Sequence, residues 1–419
     1  MLRKRIDYKW VILGCCFLMN FVCLGFCSGN KGLYLTAISE ALGIKRSLLS
    51  INDSCRYIAT ALLNLAFGTI VYRFGVRKTV GVGFVMLIAS SLIYAAANTV
   101  LGFCIGGTLL GVGLVFASST IASSIVRRWF KKDIGKYTGI VFAANGIGGA
   151  LAAQIVSPMI NEEGNPFGYR TSYIVIAAIL LAVGILVVAL LRERPKNETL
   201  TPETEQKKKA RGINWSGIDF QTVKRRPYFY VTAGCVLFTG FILQGINGVY
   251  AAHMRDVGLD AGFIATVASV FSLALTASKI LVGVLYDRFG LRTVMVMCHA
   301  ATVVAFLLMV FMSGSGLGMV LAIAFALLYA VALPLETLVV PLIANDLFGA
   351  ASYDKVMGIL YAMNYAGFAL GSPITNLCYD AFGSYKPVLL IFSVLIIPIS
   401  IVFQFVINAA HKERTAISN

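Results

Sequence analysis

Apolar runs of about 20 residues, the length that crosses a bilayer as a helix, recur along the whole chain with short polar breaks between them. They fall at 10–36, 50–71, 79–98, 101–126, 138–160, 171–191, 228–252, 262–285, 292–312, 317–344, 355–378 and 386–409, which makes twelve predicted spans. The first follows a basic Arg3-Lys4-Arg5 and imitates a signal peptide, but it is too long for one and no small-residue cleavage site closes it, so a retained helix is expected. One break is long. Residues 192–227, RERPKNETLTPETEQKKKARGINWSGIDFQTVKRRP, carry charge runs and prolines and read as a linker, with Trp215 and Ile218-Asp219-Phe220 marking a candidate short amphipathic helix at the membrane surface.

The pattern repeats across that linker. GIVFAANGIGGAL from Gly139 and GILYAMNYAGFAL from Gly358 align Gly139 with Gly358, Asn145 with Asn364, Gly148 with Gly367 and Leu151 with Leu370 at an offset of 219. GTIVYRFGVRK from Gly68 aligns with GVLYDRFGLRT from Gly283 at an offset of 215. Two matches at nearly one offset indicate duplicated halves related by an axis along the membrane normal. The expected fold is an all-α membrane protein of twelve transmembrane helices in two pseudo-symmetric six-helix bundles. The bundles are 1–191 and 228–419, and the linker is 192–227.

Composition agrees with a lipid solvent. Of 419 residues 58% are hydrophobic and 13% charged, half the charge of an ordinary soluble domain. A net charge of +16 would point to nucleic acid in a soluble protein. Its placement decides otherwise: with the N-terminus inside, 27 Lys and Arg fall on the inner side and 5 on the outer, the bias that orients membrane helices. Both termini are therefore expected in the cytoplasm, in a multi-pass protein of an inner or plasma membrane, with no nucleic-acid partner. All nine cysteines lie within the spans, so buried free thiols are expected.

The second repeated segment resembles the loop motif of the major facilitator superfamily, which lies between the second and third helix of each half. Its residues here are Gly283, Asp287, Arg288, Gly290 and Arg292, and in the first half Gly68, Arg73, Gly75 and Arg77, with Tyr72 where the family places Asp. In that motif the first Gly allows close packing, the Asp caps or pairs, and the Arg residues hold the inner leaflet. RRWFKKDIGKYTGI from Arg127 and KGLYLTAISEALGIKRS from Lys31 are similar to the monocarboxylate porter and oxalate-formate antiporter subgroup. The resemblance implies a major facilitator fold that moves small carboxylates by rocking its halves about a central site. It also matches Lys31 to the first-helix lysine of animal members. Lys279, four residues before Gly283, stands where the subgroup carries an Arg that holds the substrate carboxylate; a lysine there is a point charge in place of a bidentate fork. Animal members place an Asp at the position of Leu275, so proton coupling by that Asp is not carried over.

Three cations lie inside the spans, Lys31, Arg56 and Lys279, against Glu336 and, near the outer end of the second span, Asp53. A charge at mid-membrane costs roughly 2.5–3.5 kcal/mol on insertion scales, so such residues face a bundle interior or a watery cavity. At ~1.5 Å per residue, Lys279 lies ~12 Å and Arg56 ~18 Å above the inner loops, one from each half. The cation surplus would attract an anion. Lys279 and Arg56 are expected to bind it, and Lys31, about 20 residues into the first helix, to stand near the outer mouth and draw it in. Arg56 and Asp53 could instead pair, Lys31 could snorkel, and Glu336 is either a proton carrier or the counter-ion of Lys279. Asn247 and Tyr250, with Gln244 and His253, share one side of the seventh helix and are candidate cavity-wall residues, snug polar packing being the alternative. Asn145 and Asn364 are read as polar glue between helices, and Gly106, Gly107, Gly111, Gly113, Gly146, Gly148 and Gly149 as packing faces. Gly367, Gly371 and Pro373 are read as permitting the eleventh helix to bend during the transport cycle.

No enzyme signature and no metal-spaced set is found, so the chain is read as a non-enzyme without cofactor or metal, expected as a monomer. The expected function is secondary active transport of a mono- or dicarboxylate, as anion exchange or proton symport. Proton-driven efflux of amphipathic compounds is the rival within transport, and a non-transporting membrane sensor the rival outside it.

Overall fold

The computed structural model describes residues 8–130, 134–162, 164–192, 217–349 and 352–418, and every regular element among them is helical. Twelve spans alternate in direction: α1 (Tyr8–Leu42), α2 (Arg46–Phe74), α3 (Val76–Ala96), α4 (Val100–Ala117, then Ser119–Trp129), α5 (Ile134–Ile160), α6 (Gly168–Leu190), α7 (Pro227–Asn247, then Tyr250–Asp256), α8 and α9 (261–289 and 291–310 of one helical run, Ala261–Val310), α10 (Gly316–Thr337, then Val339–Phe348), α11 (Tyr353–Phe382) and α12 (Lys386–Ser418). The face where the run begins and ends is the terminal face below; the opposite one is the far face. The predicted boundaries hold to within a few residues, except that α1 runs six residues further, to Leu42, and α12 nine further, to Ser418.

Nine of the described helical runs are long and apolar enough to cross a membrane, and one of them, Ala261–Val310, supplies two spans. α2 and α11, which are not among them, pack on each other across the two halves, as α5 and α8 do. Far-face turns are held by short caps. Asp260 accepts from Gly262 N (2.8 Å) and Phe263 N (3.1 Å), and Thr99 accepts from Gly102 N (3.3 Å), satisfying amides that have no intrahelical partner.

The duplicated motif has a duplicated shape. Gly75, between α2 and α3, has φ 79°, ψ 160°, and Gly290, between α8 and α9, has φ 76°, ψ 176°. That region of backbone space is essentially glycine's alone. Arg73 lies 5.8 Å over the Phe74 ring and Arg288 lies 5.3 Å over Phe289, again at the offset of 215. Arg77 Nε donates to Val188 O of α6 (2.8 Å), tying the first copy to its own bundle. The expectation of close packing at Gly283 is corrected. A Cβ there would meet only Leu338, at 4.0 Å.

The first helix of each three-helix unit is interrupted, and the others run on. α1 passes through a π-helical turn at Asn20–Phe26 and a non-helical turn before resuming at Lys31; α4 breaks at Ser118, α7 at Gly248 and Val249, and α10 at Leu333 and Leu338. Interrupted helices leave backbone groups unpaired, which in a membrane is tolerated only where protein or a cavity receives them. Asn30 serves α1, its Nδ2 donating to Gly25 O (3.3 Å) and to Gly149 O of α5 (3.1 Å). For α10, Asn364 Nδ2 donates to Glu336 O (2.9 Å) and Tyr361 OH to Thr337 O (3.1 Å), so Asn364 is the expected polar glue.

Gly367 and Gly371 are also close-packing positions. Their missing side chains admit the backbone of α7 at Leu237, Phe241 and Gly245, and α11 is continuous through Pro373. Most of the linker, with Trp215, lies outside the described residues. Its end is ordered by one helical turn, Phe220–Val223, capped by Asp219, while Ile218 N donates to Phe348 O (3.0 Å). All nine cysteines are free thiols.

Gly290→Ala is expected to lower unfolding stability by about 1–3 kcal/mol, the cost of forcing a side chain into that backbone region. Gly139→Ala, where a Cβ meets nothing within 4 Å, is the neutral control. Thermal unfolding in detergent checks both.

Candidate substrate site

The break in α1 aims Lys31 inward. Lys31 Nζ lies 2.8 Å from Asp53 Oδ1, and Arg56 Nη1 lies 4.0 Å from the same oxygen. One carboxylate thus serves two cations, from helices α1 and α2. The other edge of the guanidinium is filled: Arg56 Nη2 donates to Ser28 Oγ (3.0 Å) and Tyr57 OH (3.2 Å). Arg56 Nη1 has no hydrogen-bond partner although the residue is only 7% exposed. The Tyr57 ring completes the cradle, 4.6 Å from the guanidinium carbon and 5.2 Å from Lys31 Nζ, close enough for its face to attract both cations.

The backbone beneath these residues is set by glycines. Gly107 and Gly111 of α4 receive the carbonyls of Asn52 and Arg56, and a Cβ at either would collide with them. Their reading as packing faces is borne out, with the consequence that α4 sets the depth and rotation of Arg56. Tyr94 OH donates to Asn52 Oδ1 (3.2 Å), fixing α3 against the same turn of α2.

These groups line one pocket, with Lys31, Asp53 and Arg56 beside Tyr34, Tyr94, Tyr173 and Ser90, and with Gly248 and Ser372 contributed by the second half. Lys31 is therefore not an outer-mouth residue, as expected from its count along a straight helix. The turn at 27–30 and the extension of α1 to Leu42 bring it level with Arg56. The structure brings Lys31 and Arg56 together and leaves Lys279 out of the pocket wall. Lys279 is within Coulomb range of Glu336, and Glu336, 6% exposed, is in turn within range of both Lys279 and Lys31. Glu336 Oε1 has no hydrogen-bond partner.

Tyr250 is corrected. It is buried in the second bundle, its ring 5.5 Å from Phe271 and 5.9 Å from Phe325, and it does not line the pocket that holds Lys31 and Arg56. Asn247 donates to Gln244 Oε1 (3.4 Å) at the break in α7 and is absent from the pocket lining, while its neighbour Gly248 is present. His253 Nε2 is 2.9 Å from Met309 O, a packing contact between α7 and α9. Sequence reasoning missed Tyr57, Ser28 and the opposing rings of Tyr365 and Phe368, 6.4 and 5.2 Å from Tyr57. The i, i+3, i+4 spacing of Asp53, Arg56 and Tyr57 was a readable signal for the first.

The halves are latched together on the far-face side of this pocket. Arg46 holds Asp256 in two bonds, Nη1 to Oδ2 (2.5 Å) and Nη2 to Oδ1 (2.7 Å), with its guanidinium 4.2 Å above the Tyr379 ring. Asp380 of α11 accepts from Ser47 N (3.2 Å) and Ser47 Oγ, capping α2 from the opposite half. Arg255 of α7 reaches Glu40 (3.1 Å) and Asn161 (2.8 Å). Nearer the middle, Ser54 Oγ donates to Ala369 O. A fork-to-fork pair thus joins the two halves on the far-face side of the pocket, where it is a candidate gate.

Two duplicated bundles, a break in every third helix and a charged pocket inside the membrane define a multi-pass membrane transporter. Known proteins agree. The family model of the Major Facilitator Superfamily matches residues 16–249 and 232–418, and the chain belongs to that family. It is 24% identical to the uncharacterized MFS-type transporter YcxA of Bacillus subtilis over 70% of this chain and 69% of that protein. To human monocarboxylate transporter 2 it is 21% identical, over 90% of this chain and 81% of the relative. Its fold is that of a point mutant of the nucleoside transporter NupG, with a TM-score of 0.79 at 13% identity, over 94% of this chain and 99% of that one. Members of this family are transporters and not enzymes.

Asp256→Ala is expected to open the gate, because Arg46 would be left buried without its carboxylate. With Cys27, a pocket-lining residue, kept as the sole cysteine, labelling by an impermeant thiol reagent from the far face of proteoliposomes is expected to speed up about tenfold, a change of ~1.4 kcal/mol in the gating equilibrium.

Proposed function

We propose that this transporter carries a small carboxylate by alternating access, through exchange or proton symport, with Arg56 as the principal anion contact and Lys31 beside it. The observation that carries the reading is the open edge of Arg56: a buried guanidinium nitrogen without a hydrogen-bond partner, 4.0 Å from Asp53, lining a pocket in which two cations share one carboxylate. A buried polar group left unpaired costs about 1–3 kcal/mol, more when charged, so an arriving carboxylate has a preorganised place to bind. The likeness to human monocarboxylate transporter 2 over most of both chains supports the substrate class.

Lys279 and Glu336 form a second charged pair in the other half, with Glu336 as candidate proton carrier. The two bundles would rock about this site, with residues 192–227 joining them and the two copies of the motif at Gly75 and Gly290 as their turning points. The Lys and Arg bias along the sequence supports a cytoplasmic side for both termini. The latched far face is then the outer one, and the conformation opens inward.

Purified protein is expected to gain about 2.7 kcal/mol of stability in a bound carboxylate at 100 times its dissociation constant. The gain should vanish in Arg56→Gln and persist, weakened, in Lys279→Ala. Thermal unfolding against a panel of short mono- and dicarboxylates measures it. A response to cationic amphiphiles and to no carboxylate would sink the reading in favour of efflux.

A further inference from the structure

We propose that Asp53 sets the valence of the transported anion, by cancelling one of the two positive charges in the pocket and leaving room for one negative charge only. The inference rests on the carboxylate reading above. Its basis is the charge inventory of the site and the unequal distances within it. Asp53, 6% exposed, lies 2.8 Å from Lys31 and 4.0 Å from Arg56. Lys31 is thereby in direct ion-pair contact with an internal carboxylate, while Arg56 Nη1 stands 4.0 Å from it, and neither nitrogen has a hydrogen-bond partner. Glu336 of the second half lies within Coulomb range of both Lys31 and Lys279. With Asp53 and Glu336 both ionised, the set of Lys31, Arg56 and Lys279 against these two carboxylates carries one surplus positive charge, and Arg56, the cation further from Asp53, is where an added anion would meet it.

While Glu336 is ionised, a monoanion placed on Arg56 Nη1 brings that set to neutrality. A dianion overshoots, and its second carboxylate lies next to Asp53, where two carboxylates in a low-dielectric space repel strongly. The groups that face Asp53 leave nothing else to absorb a second negative charge: Lys31 and Arg56 are already counted, and Tyr57, Tyr94 and Tyr173 are neutral phenols. Asp53 is thus a specificity residue, and the carrier's preference for a single charge is a property of α2 and not of the substrate's size.

Propionate and malonate test this, since they share a three-carbon skeleton and differ by one carboxylate. Dissociation constants are measured by thermal stabilisation and calorimetry on the full chain, at a pH well above the ordinary carboxylate range, so that malonate is a dianion. The wild type is expected to prefer propionate. In Asp53→Asn the preference should move towards malonate by about tenfold or more, because a cation has been released. An unchanged ratio in a folded Asp53→Asn overturns the role of Asp53 while leaving carboxylate transport intact. A wild type that prefers malonate also overturns it, and this arm stands even if neither Asp53→Asn nor Asp53→Ser folds. No response of the wild type to either acid overturns the carboxylate reading itself.

Discussion

A guanidinium held inside a membrane has to be stabilised by its surroundings, and in this chain Arg56 organises those surroundings. Its position requires α2 to lie against α4 with no side chain between them, which Gly107 and Gly111 provide. Its filled edge requires Ser28, which sits in the turn that interrupts α1. The same turn redirects α1 so that Lys31 reaches Asp53, and Asn30 stitches the loosened backbone to α5. The π-helical stretch, the glycine face and the tyrosine ring are separate local features with one common effect: they hold a cation at mid-membrane with one nitrogen still free.

The same logic extends to the moving parts. Helices α1, α4, α7 and α10 are broken and α2 and α11 are polar, and all of these line or approach the plane between the halves. The remaining helices present large apolar side chains outward and are continuous, as lipid contact demands. Irregular backbone is therefore confined to the place where a site and a rocking interface need it. The far-face gate is polar and bidentate, with rings of Tyr379 and Tyr385 around Arg46. Contacts of that kind are strong when aligned and weaken steeply when displaced, which suits a seal that must open as a unit.

Membership of the Major Facilitator Superfamily and the pocket chemistry narrow function from different directions. Fold alone admits many substrates, as the likeness to both a monocarboxylate transporter and a nucleoside transporter illustrates. The charge pattern of the pocket is the local feature that speaks to one substrate class, and it is carried by the first half, with the second half contributing the opposing wall.

Twelve spans, the duplicated halves, the repeated glycine turns at Gly75 and Gly290 and most of the buried charges, though not Arg46, were legible in the sequence. Each depends on local physics: apolar length against bilayer thickness, a repeat, a glycine at a tight turn, and the cost of a charge in lipid. The grouping of those charges was not legible. Counting along an unbroken helix put Lys31 at the outer mouth, whereas the turn at 27–30 places it beside Asp53; Tyr250 had the right spacing for a cavity wall and packs instead among Phe271 and Phe325. Lys279, the deepest cation by rise per residue, is matched by Glu336 and stays out of the pocket wall. Composition and periodicity say that a charge must have a partner. Which partner it takes depends on where a helix breaks and which glycine lets a neighbour approach, and those are decided only when the helices pack.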